Sequence, residues 1–263
     1  MRRSLVLGLC VLWAVASISC APEEALDPDS TDTTVDPILF GTRDRSTTPA
    51  VLALSLPGGG FCTGALVGPR LVLTARHCVS DVVPAIDCAN PAPQIIRDLE
   101  PDSIALLAGD DARGNRVLAM GARTIVPRAR RLCNADVALV VLDRDVRSIT
   151  PLRVDFSTRI ATGDAVTLVG FGARGASARA PYGLRYRRTG VRISEVGASE
   201  FYLGPVACVG DSGGPAIDPR TGAIVGVHSR GTSPCDSPTA IGTWTRAHVA
   251  RSLFDSAAAM GAR

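Results

Sequence analysis

The stretch "VACVGDSGGPAI", Val206 to Ile217, places Ser212 among three glycines and directly after Asp211. Most glycine pairs of this kind mark a turn between strands. A second interpretation is that Ser212 is a nucleophile in a backbone cage, where glycine lets the main chain approach a substrate closely. Because a serine hydroxyl is a poor nucleophile without a base, this interpretation requires partners elsewhere in the chain.

Three histidines could supply a base: His77, His228 and His248. His77 lies in "LVLTARHC", at the end of a strongly apolar predicted strand. A carboxylate that could orient it is Asp136 in "NADVALVVL", where the apolar surroundings would require the charge to be hydrogen-bonded. Taken alone, a structural histidine and a solvated aspartate are the commoner explanations of these two residues.

From Ile38 onward the chain consists of short apolar runs separated by turn residues, which is typical of β-strands. The clearest runs are Ala50–Leu56, Leu71–Ala75, Ile104–Gly109, Val137–Leu142, Ala165–Gly170 and Gly222–Ser229. No long helical pattern lies between them. At the C-terminus, Val249, Leu253 and Phe254 fall on one side of a predicted closing helix. The residues therefore predict an all-β domain of barrel or sandwich type with a terminal helix.

The N-terminus has the pattern of an export signal, residues 1–20. Arg2 and Arg3 precede an apolar run, Leu5–Ala16, that is short for a membrane span and ends in small residues. The end at Cys20 is similar to a bacterial lipoprotein signal, whose cysteine is lipidated, although Ser17 stands where such signals usually carry leucine. Lipid anchoring and free secretion both stay open, and we expect an exported bacterial protein.

Residues 21–37 hold six acidic residues, three prolines and no basic residue. Such a segment cannot bury enough apolar surface to fold, so we expect a disordered tether or pro-segment. The remainder, residues 38–263, forms the predicted domain. The whole chain is 46% hydrophobic with a net charge of +3, which suits a packed globular protein and does not argue for nucleic-acid binding.

Six cysteines follow the signal, an even number that suggests three disulfide bonds in an exported chain. Fifteen connectivities are possible from the count alone. The six are Cys62, Cys78, Cys88, Cys133, Cys208 and Cys235.

The motifs "LTARHC", "DVAL" and "GDSGGP", in this order, resemble the trypsin/chymotrypsin-like serine protease family. "VGFG" (Val169–Gly172) and "IGTWTR" (Ile241–Arg246) also fall where that family has matching segments, and the resemblance extends from Ile38 to the C-terminus. It implies two six-stranded antiparallel β-barrels with the active site between them. It also implies a secreted endopeptidase that acts on proteins or peptides, works as a monomer and needs no cofactor or metal.

The resemblance assigns roles to individual residues. His77 would be the general base, Asp136 its orienting partner and Ser212 the nucleophile, with the backbone N–H groups of Gly210 and Ser212 forming the oxyanion hole. Ser229 would support Asp136. The implied disulfide pairs are Cys62–Cys78, Cys208–Cys235 and, as the remaining pair, Cys88–Cys133.

The same resemblance implies a substrate pocket and an activation step. Val206 lies at the pocket base, where trypsin-like members carry aspartate, so we expect cleavage after apolar residues. The remaining expected pocket residues are Ala207, Ser229, Gly231 and Gly242. The family is made as inactive precursors, and "ILFG" implies a new amino terminus at Ile38 that pairs with Asp211.

Several features depart from the family pattern. His77 and Asp136 are separated by 59 residues, which is longer than usual, and Arg230 replaces the usual tryptophan beside the substrate backbone. The segment "GDDARGN" could hold calcium but is expected to be a solvated loop, and "RYRRTGVR" is expected to be an exposed strand face.

Two other functions are compatible with parts of the sequence. "GDSGG" also fits the serine motif of α/β-hydrolases, but the 51 residues after Ser212 are too few for the rest of that sheet. The second is an inactive binding module on the protease scaffold. Such modules usually lack a member of the catalytic triad, whereas this chain has all three.

Overall fold

A computed structural model describes residues 37–114, 116–177 and 182–262. The predicted signal, Cys20 and the acidic segment as far as Asp36 lie outside the described residues. Within the described part, no helix is long and apolar enough to cross a membrane.

The described chain is almost entirely strand and loop, with one α-helix at Arg251–Ala259, an irregular turn at Pro37–Phe40 and several short 3-10 turns. The strands, in chain order, are β1 (Thr42–Arg43), β2 (Val51–Ser55), β3 (Phe61–Gly68), β4 (Leu71–Thr74), β5 (Ser80–Val82), β6 (Ile95–Asp98), β7 (Ala105–Leu107), β8 (Val117–Ile125), β9 (Ala138–Leu142), β10 (Ala165–Gly170), β11 (Tyr186–Arg192), β12 (Glu195–Val196), β13 (Glu200–Leu203), β14 (Pro215–Ile217), β15 (Ile224–Gly231) and β16 (Gly242–Arg246).

The first half of the domain is a closed barrel with the strand order β2-β3-β4-β9-β8-β7. All neighbours are antiparallel; β4 and β9, for example, pair Leu73 with Leu139. Both of these leucines are fully buried, as is most of β2 and β4. Burial on both faces explains why these strands read as continuous apolar runs and not as an alternating pattern.

The second half is a curled sheet of eight strands, ordered β1-β11-β10-β14-β15-β16-β13-β12. The all-β class, the two-part architecture and the terminal helix are confirmed; this second sheet is a curled half-barrel whose order includes two very short edge strands. Two-residue strands occupy both edges: Thr42–Arg43 pairs with β11, and Glu195–Val196 pairs with β13. Antiparallel sheets without intervening helices also exclude the α/β-hydrolase alternative.

The prediction that "RYRRTGVR" forms an exposed strand face is wrong for its first residue, Arg185. Arg185 is fully buried; its Nη1 donates to the backbone oxygen of Val51 at 3.1 Å, and its Nε lies 3.7 Å from the Asp44 carboxylate. The guanidinium also lies over the ring of Phe171. A buried charge of this kind needs a partner, and Asp44 provides it.

The long insertion between His77 and Asp136 forms the hairpin β5–β6. Its loop carries Cys88, which is bonded to Cys133, three residues before Asp136. The pairs Cys62–Cys78 and Cys208–Cys235 are also present, as the resemblance implied. The insertion is therefore covalently tied to the loop that leads to Asp136.

The C-terminal helix closes the first barrel. Leu253 and Ala257 are buried in the core cluster of that barrel, and Phe254 packs edge-on against Phe156 with 5.1 Å between ring centroids. Val249, which was expected on the same helix, lies in the preceding 3-10 turn, Ala247–Ala250.

Candidate active site

His77 and Asp136 form a buried pair on the first barrel. His77 lies in a 3-10 turn directly after β4, and Asp136 lies just before β9, which pairs with β4. His77 Nδ1 is 2.8 Å from Asp136 Oδ2, and the backbone N–H of His77 donates to Asp136 Oδ1 at 3.0 Å. The Asp136 side chain is 1% exposed, whereas that of His77 is 21% exposed. One edge of the imidazole therefore faces the carboxylate while the ring remains partly accessible.

The electrostatics of the pair favour the ionised carboxylate. Burial alone would lower the pKa of His77, but the charge and hydrogen bond of Asp136 outweigh it, so the pKa of His77 is raised above its ordinary value. Burial would raise the pKa of Asp136, but His77 and the Ser229 hydroxyl, which donates to Oδ2 at 2.6 Å, hold that pKa below its ordinary value.

The loop that carries Ser212 is fixed to the first barrel by Thr63 on β3. The backbone N–H of Thr63 donates to the Ser212 oxygen at 2.8 Å, and its hydroxyl donates to the Gly210 oxygen at 2.8 Å. The same hydroxyl accepts the N–H of Phe171 at 3.1 Å. Thr63 was not singled out from the sequence, and no local pattern marks it, because its partners lie more than a hundred residues away.

Two glycines shape this loop. Gly210 has φ of +96° and Gly213 has φ of +83°, a region that residues with side chains rarely adopt. A Cβ at Gly213 would lie 2.2 Å from the backbone oxygen of Thr63. The loop lies against β3 without space for a side chain at position 213, which explains the glycine there.

Ser212 is close to His77. The sulfur of Cys78 lies 3.9 Å from His77 Nε2 and 3.6 Å from the backbone oxygen of Ser212. The N–H groups of Asp211 and Gly213 donate to backbone oxygens, whereas those of Gly210 and Ser212 donate to no acceptor among the described residues. Two free donors thus lie beside the serine.

A cleft of about 370 Å³ opens next to Ser212. Of the expected pocket residues, Ala207 and Gly231 line it, whereas Val206, Ser229 and Gly242 do not. Val206 is buried in the core of the second sheet. A Cβ at Gly242 would lie 2.5 Å from the ring of Trp244, which is fully buried. Among the described lining residues of the cleft none is acidic.

His228 forms part of the wall of this cleft, a role that was not predicted. The residue is 5% exposed, and its ring packs at 4.6 Å from the Trp244 ring. Burial lowers the pKa of His228 to about 4, so the imidazole is neutral at physiological pH. His228 therefore adds no charge to the cleft.

Ile38 and Asp211 lie together beneath the Ser212 loop. Both are almost fully buried. Burial raises the pKa of Asp211 to about 7, although the backbone N–H groups of Cys208, Gly172 and Ile38 counteract this. Asp211 thus has hydrogen-bond donors but no cation among the described residues.

In two possible metal sites the candidate ligand atoms already have other partners. Cys62, His77 and Cys78 lie close together, but the two sulfurs are bonded to each other and are not thiolates. In the segment considered for calcium, Asp110 pairs with Arg43 and Asp111 with Arg113, both at 2.6 Å.

The His77–Asp136 pair gives a test by titration. We expect the imidazole of His77 to titrate above pH 6.5 in the wild type and below it in Asp136→Asn, because burial is then the dominant influence on its pKa. Heteronuclear NMR of the ring nitrogens measures both values. His248, which is exposed, serves as an internal control and should not move. An unchanged midpoint for His77 would contradict the electrostatic assignment.

The chain is similar to known proteins over most of its length. A sequence model of the family described as Trypsin matches residues 40–253. A "Cercarial protease" of Schistosoma mansoni is 31% identical over 217 residues, 73% of this chain and 78% of the relative. "Serine protease SP24D" of Anopheles gambiae is 32% identical over 186 residues, 64% of this chain and 62% of the relative. Neither relative is bacterial, so the expected bacterial origin rests on the N-terminal stretch. Since the family match covers most of the chain, including both halves of the fold, the chain belongs to the trypsin family of serine proteases.

Proposed function

We propose that this chain is an exported serine endopeptidase that hydrolyses peptide bonds through His77, Asp136 and Ser212. The observation that carries the proposal is the buried His77–Asp136 pair, whose partly exposed imidazole lies beside a serine loop with two free N–H donors. Family membership alone does not establish activity, whereas this arrangement provides a base, a nucleophile and an anion site in one place.

In the proposed reaction, His77 Nε2 accepts the hydroxyl proton of Ser212 as Oγ attacks the scissile carbonyl carbon. Asp136 accepts the Nδ1 proton in a hydrogen bond, which keeps Nε2 free as the base and stabilises the imidazolium that forms. The imidazolium then gives its proton to the leaving amine, which departs as the acyl-enzyme forms. Water hydrolyses the acyl-enzyme by the same steps with His77 again as base.

The tetrahedral intermediate carries a negative oxygen that needs donors. The N–H groups of Gly210 and Ser212 would supply them, and such a donor contributes about 3 kcal/mol to transition-state stabilisation. The described residues include no hydrogen bond between Ser212 Oγ and His77 Nε2. This contact often tightens only when substrate is bound, so the proposal requires a small movement of either side chain.

The inactive binding module has no specific observation in its favour. The His77–Asp136 hydrogen bond and the open cleft beside Ser212 both support the active enzyme. Proteins or peptides are the proposed substrates, the monomer is the proposed state, and export with or without a lipid at Cys20 is the proposed location.

We expect Ser212→Ala and His77→Ala to abolish measurable hydrolysis of a peptide ester while the fold is retained. Asp136→Asn should keep a residual activity about 10⁴-fold below the wild type, because the imidazole is then held in the wrong tautomer. Ser256→Ala, on the exposed side of the C-terminal helix, is the matched control and should be fully active. Full activity of Ser212→Ala would refute the mechanism.

Substrate choice follows from the cleft beside Ser212. An arginine or lysine side chain would enter it without a carboxylate to pair with, which is costly. Asp236, which follows the cleft-lining Cys235, is exposed and accepts the N–H of Ala176 at 3.0 Å. His228, whose ring packs against that of Trp244, forms part of the cleft wall and adds no charge. We propose that the residue before the cleaved bond is apolar and of medium to large size, such as leucine, methionine or phenylalanine, with tryptophan disfavoured.

Peptide libraries that vary only the residue before the cleaved bond should give a profile led by leucine, methionine and phenylalanine. Matched peptides with leucine or arginine at that position should differ in kcat/KM by roughly 100-fold, the cost of burying an unpaired charge. A profile dominated by arginine or lysine would contradict the proposed pocket.

Activation is the third part of the proposal. Ile38 is β-branched with φ of 41°, a strained conformation, and is joined to Pro37 while it lies beside Asp211. Cleavage after Pro37 would free an ammonium that could pair with the buried Asp211 carboxylate and order the turn at Gly210. Buried pairs cost desolvation energy, so the value of this pair lies in switching.

An enzyme that prefers apolar residues would not readily cut after proline, so a different protease is proposed to remove residues 21–37, which would also release the domain from any lipid at Cys20.

N-terminal sequencing of the purified active protein should begin at Ile38, and Asp211→Asn should be nearly inactive. Asp218→Asn is the matched control and should stay active, because this buried aspartate, directly after β14, is paired with Arg220. Full activity in a form that still carries Ala21 to Pro37 would contradict the switch.

A further inference from the structure

Arg230 is the residue at which this chain departs most clearly from its family inside the site. It follows Ser229 on β15 and lines the cleft. Its guanidinium makes two parallel bonds to one carboxylate: Nη1 lies 2.7 Å from Glu200 Oε1 and Nη2 lies 2.9 Å from Oε2. The side chain of Glu200 is 4% exposed and that of Arg230 is 25% exposed. This bidentate geometry holds the guanidinium in one position.

A chain of hydrogen bonds runs from Arg230 to His77. Arg230 Nη1 donates to Ser229 Oγ at 3.2 Å, and Ser229 Oγ donates to Asp136 Oδ2 at 2.6 Å. A guanidinium only donates, and a serine hydroxyl has a single proton. Because Arg230 occupies an acceptor position on Ser229 Oγ, the hydroxyl proton is directed to the carboxylate that orients His77.

Glu200 also reaches the loop that carries Asp136. Its Oε1 accepts the backbone N–H of Asn134 at 2.8 Å. Asn134 has φ of 65° and lies between Cys133, which is tied to Cys88, and Asp136. The Glu200 carboxylate therefore connects Arg230 on β15 to the loop that leads to Asp136. An uncharged tryptophan at position 230 could not form the two-point bond to this carboxylate.

We propose that Arg230, held by Glu200, is a positioning residue that orients the Ser229 hydroxyl towards Asp136 and shifts the action of His77 to lower pH. The inference rests on the proposed protease function. It adds a chemical role for a residue that replaces the usual aromatic side chain.

The charges around His77 determine the direction of the effect. Asp136 raises the pKa of His77, whereas the positive charge of Arg230 lowers it. Glu200 is bonded to Arg230, so its negative charge partly offsets the effect of Arg230 on the pKa of His77. His228 on the same strand as Arg230 is neutral above about pH 4, and Arg76 on the histidine's own turn is paired with Asp98 at 2.6 Å. Loss of the Arg230 charge should therefore raise the pKa of His77, and loss of the Glu200 charge should lower it.

The test is the pH dependence of kcat/KM for a neutral peptide ester, measured for the wild type, Arg230→Met, Glu200→Gln and the double variant. Its acidic midpoint reports the ionisation of the free enzyme's base. We expect Arg230→Met to move the midpoint up by roughly half a pH unit and Glu200→Gln to move it down by a smaller amount. We expect the double variant to resemble Arg230→Met in direction with a smaller shift. Arg230→Met should also lower kcat/KM at the optimum by roughly ten-fold, since the serine hydroxyl and the aspartate loop lose their support.

Two matched controls carry the same charge changes away from the site. Glu195→Gln on β12 and Arg192→Met on β11 should leave the midpoint unchanged. If Arg230→Met does not fold, Arg230→Lys keeps the charge without the two-point bond, and we expect a lower kcat/KM with the midpoint of the wild type.

Equal midpoints in all four enzymes, or shifts of the same sign in both single variants, would overturn the inference, since simple loosening of the site does not produce opposite shifts. If the wild type fails to hydrolyse any peptide or ester, the proposed function fails instead. In that case NMR titration of the His77 ring in the same variants still tests the role of Arg230, with the same opposite shifts expected.

Discussion

Thr63 is the contact on which the geometry of the site depends, because it joins the Ser212 loop of the second sheet to the first barrel, which carries His77 and Asp136. Its backbone N–H and its hydroxyl hold the oxygens of Ser212 and Gly210, and its own oxygen accepts the Thr74 hydroxyl at 2.9 Å. Thr63 is fully buried, so these bonds are not exchanged with water. Its position on β3 therefore sets the position of the serine loop relative to the histidine.

The two buried aspartates of the site, Asp136 and Asp211, have opposite pKa shifts and are suited to different roles. Asp136 has charged and hydroxyl partners, so its pKa is lowered and it stays ionised. Asp211 has backbone donors and no described cation, so burial raises its pKa to about 7. A carboxylate with partners in place is suited to orient a base in every turnover. A carboxylate without a cation is suited to respond when a cation is supplied, which is the basis of the proposed activation step.

The sequence predicts the local parts of this structure well and the long-range parts poorly. The glycines around Ser212 and the strand before His77 could be interpreted because each reflects local backbone geometry or local burial. Thr63 and Glu200 could not be singled out, because their importance depends on partners brought near only by folding. The two-residue edge strands of the second sheet, such as Thr42–Arg43, could not be predicted for a similar reason, because they leave no pattern in a sequence. Arg230 did leave a signal, as a charge at a position where the family has an aromatic residue.

The most direct test of the central claim is labelling by a fluorophosphonate, which reacts with serine only when a neighbouring base activates it. The protein, with Ile38 as its first residue, is treated with the probe, digested and analysed by mass spectrometry. The account predicts a single adduct on Ser212 that is absent from Ser212→Ala and strongly reduced in His77→Ala. A protein that hydrolyses peptides while its adduct maps to another residue, or while Ser212 stays unmodified, would contradict the account.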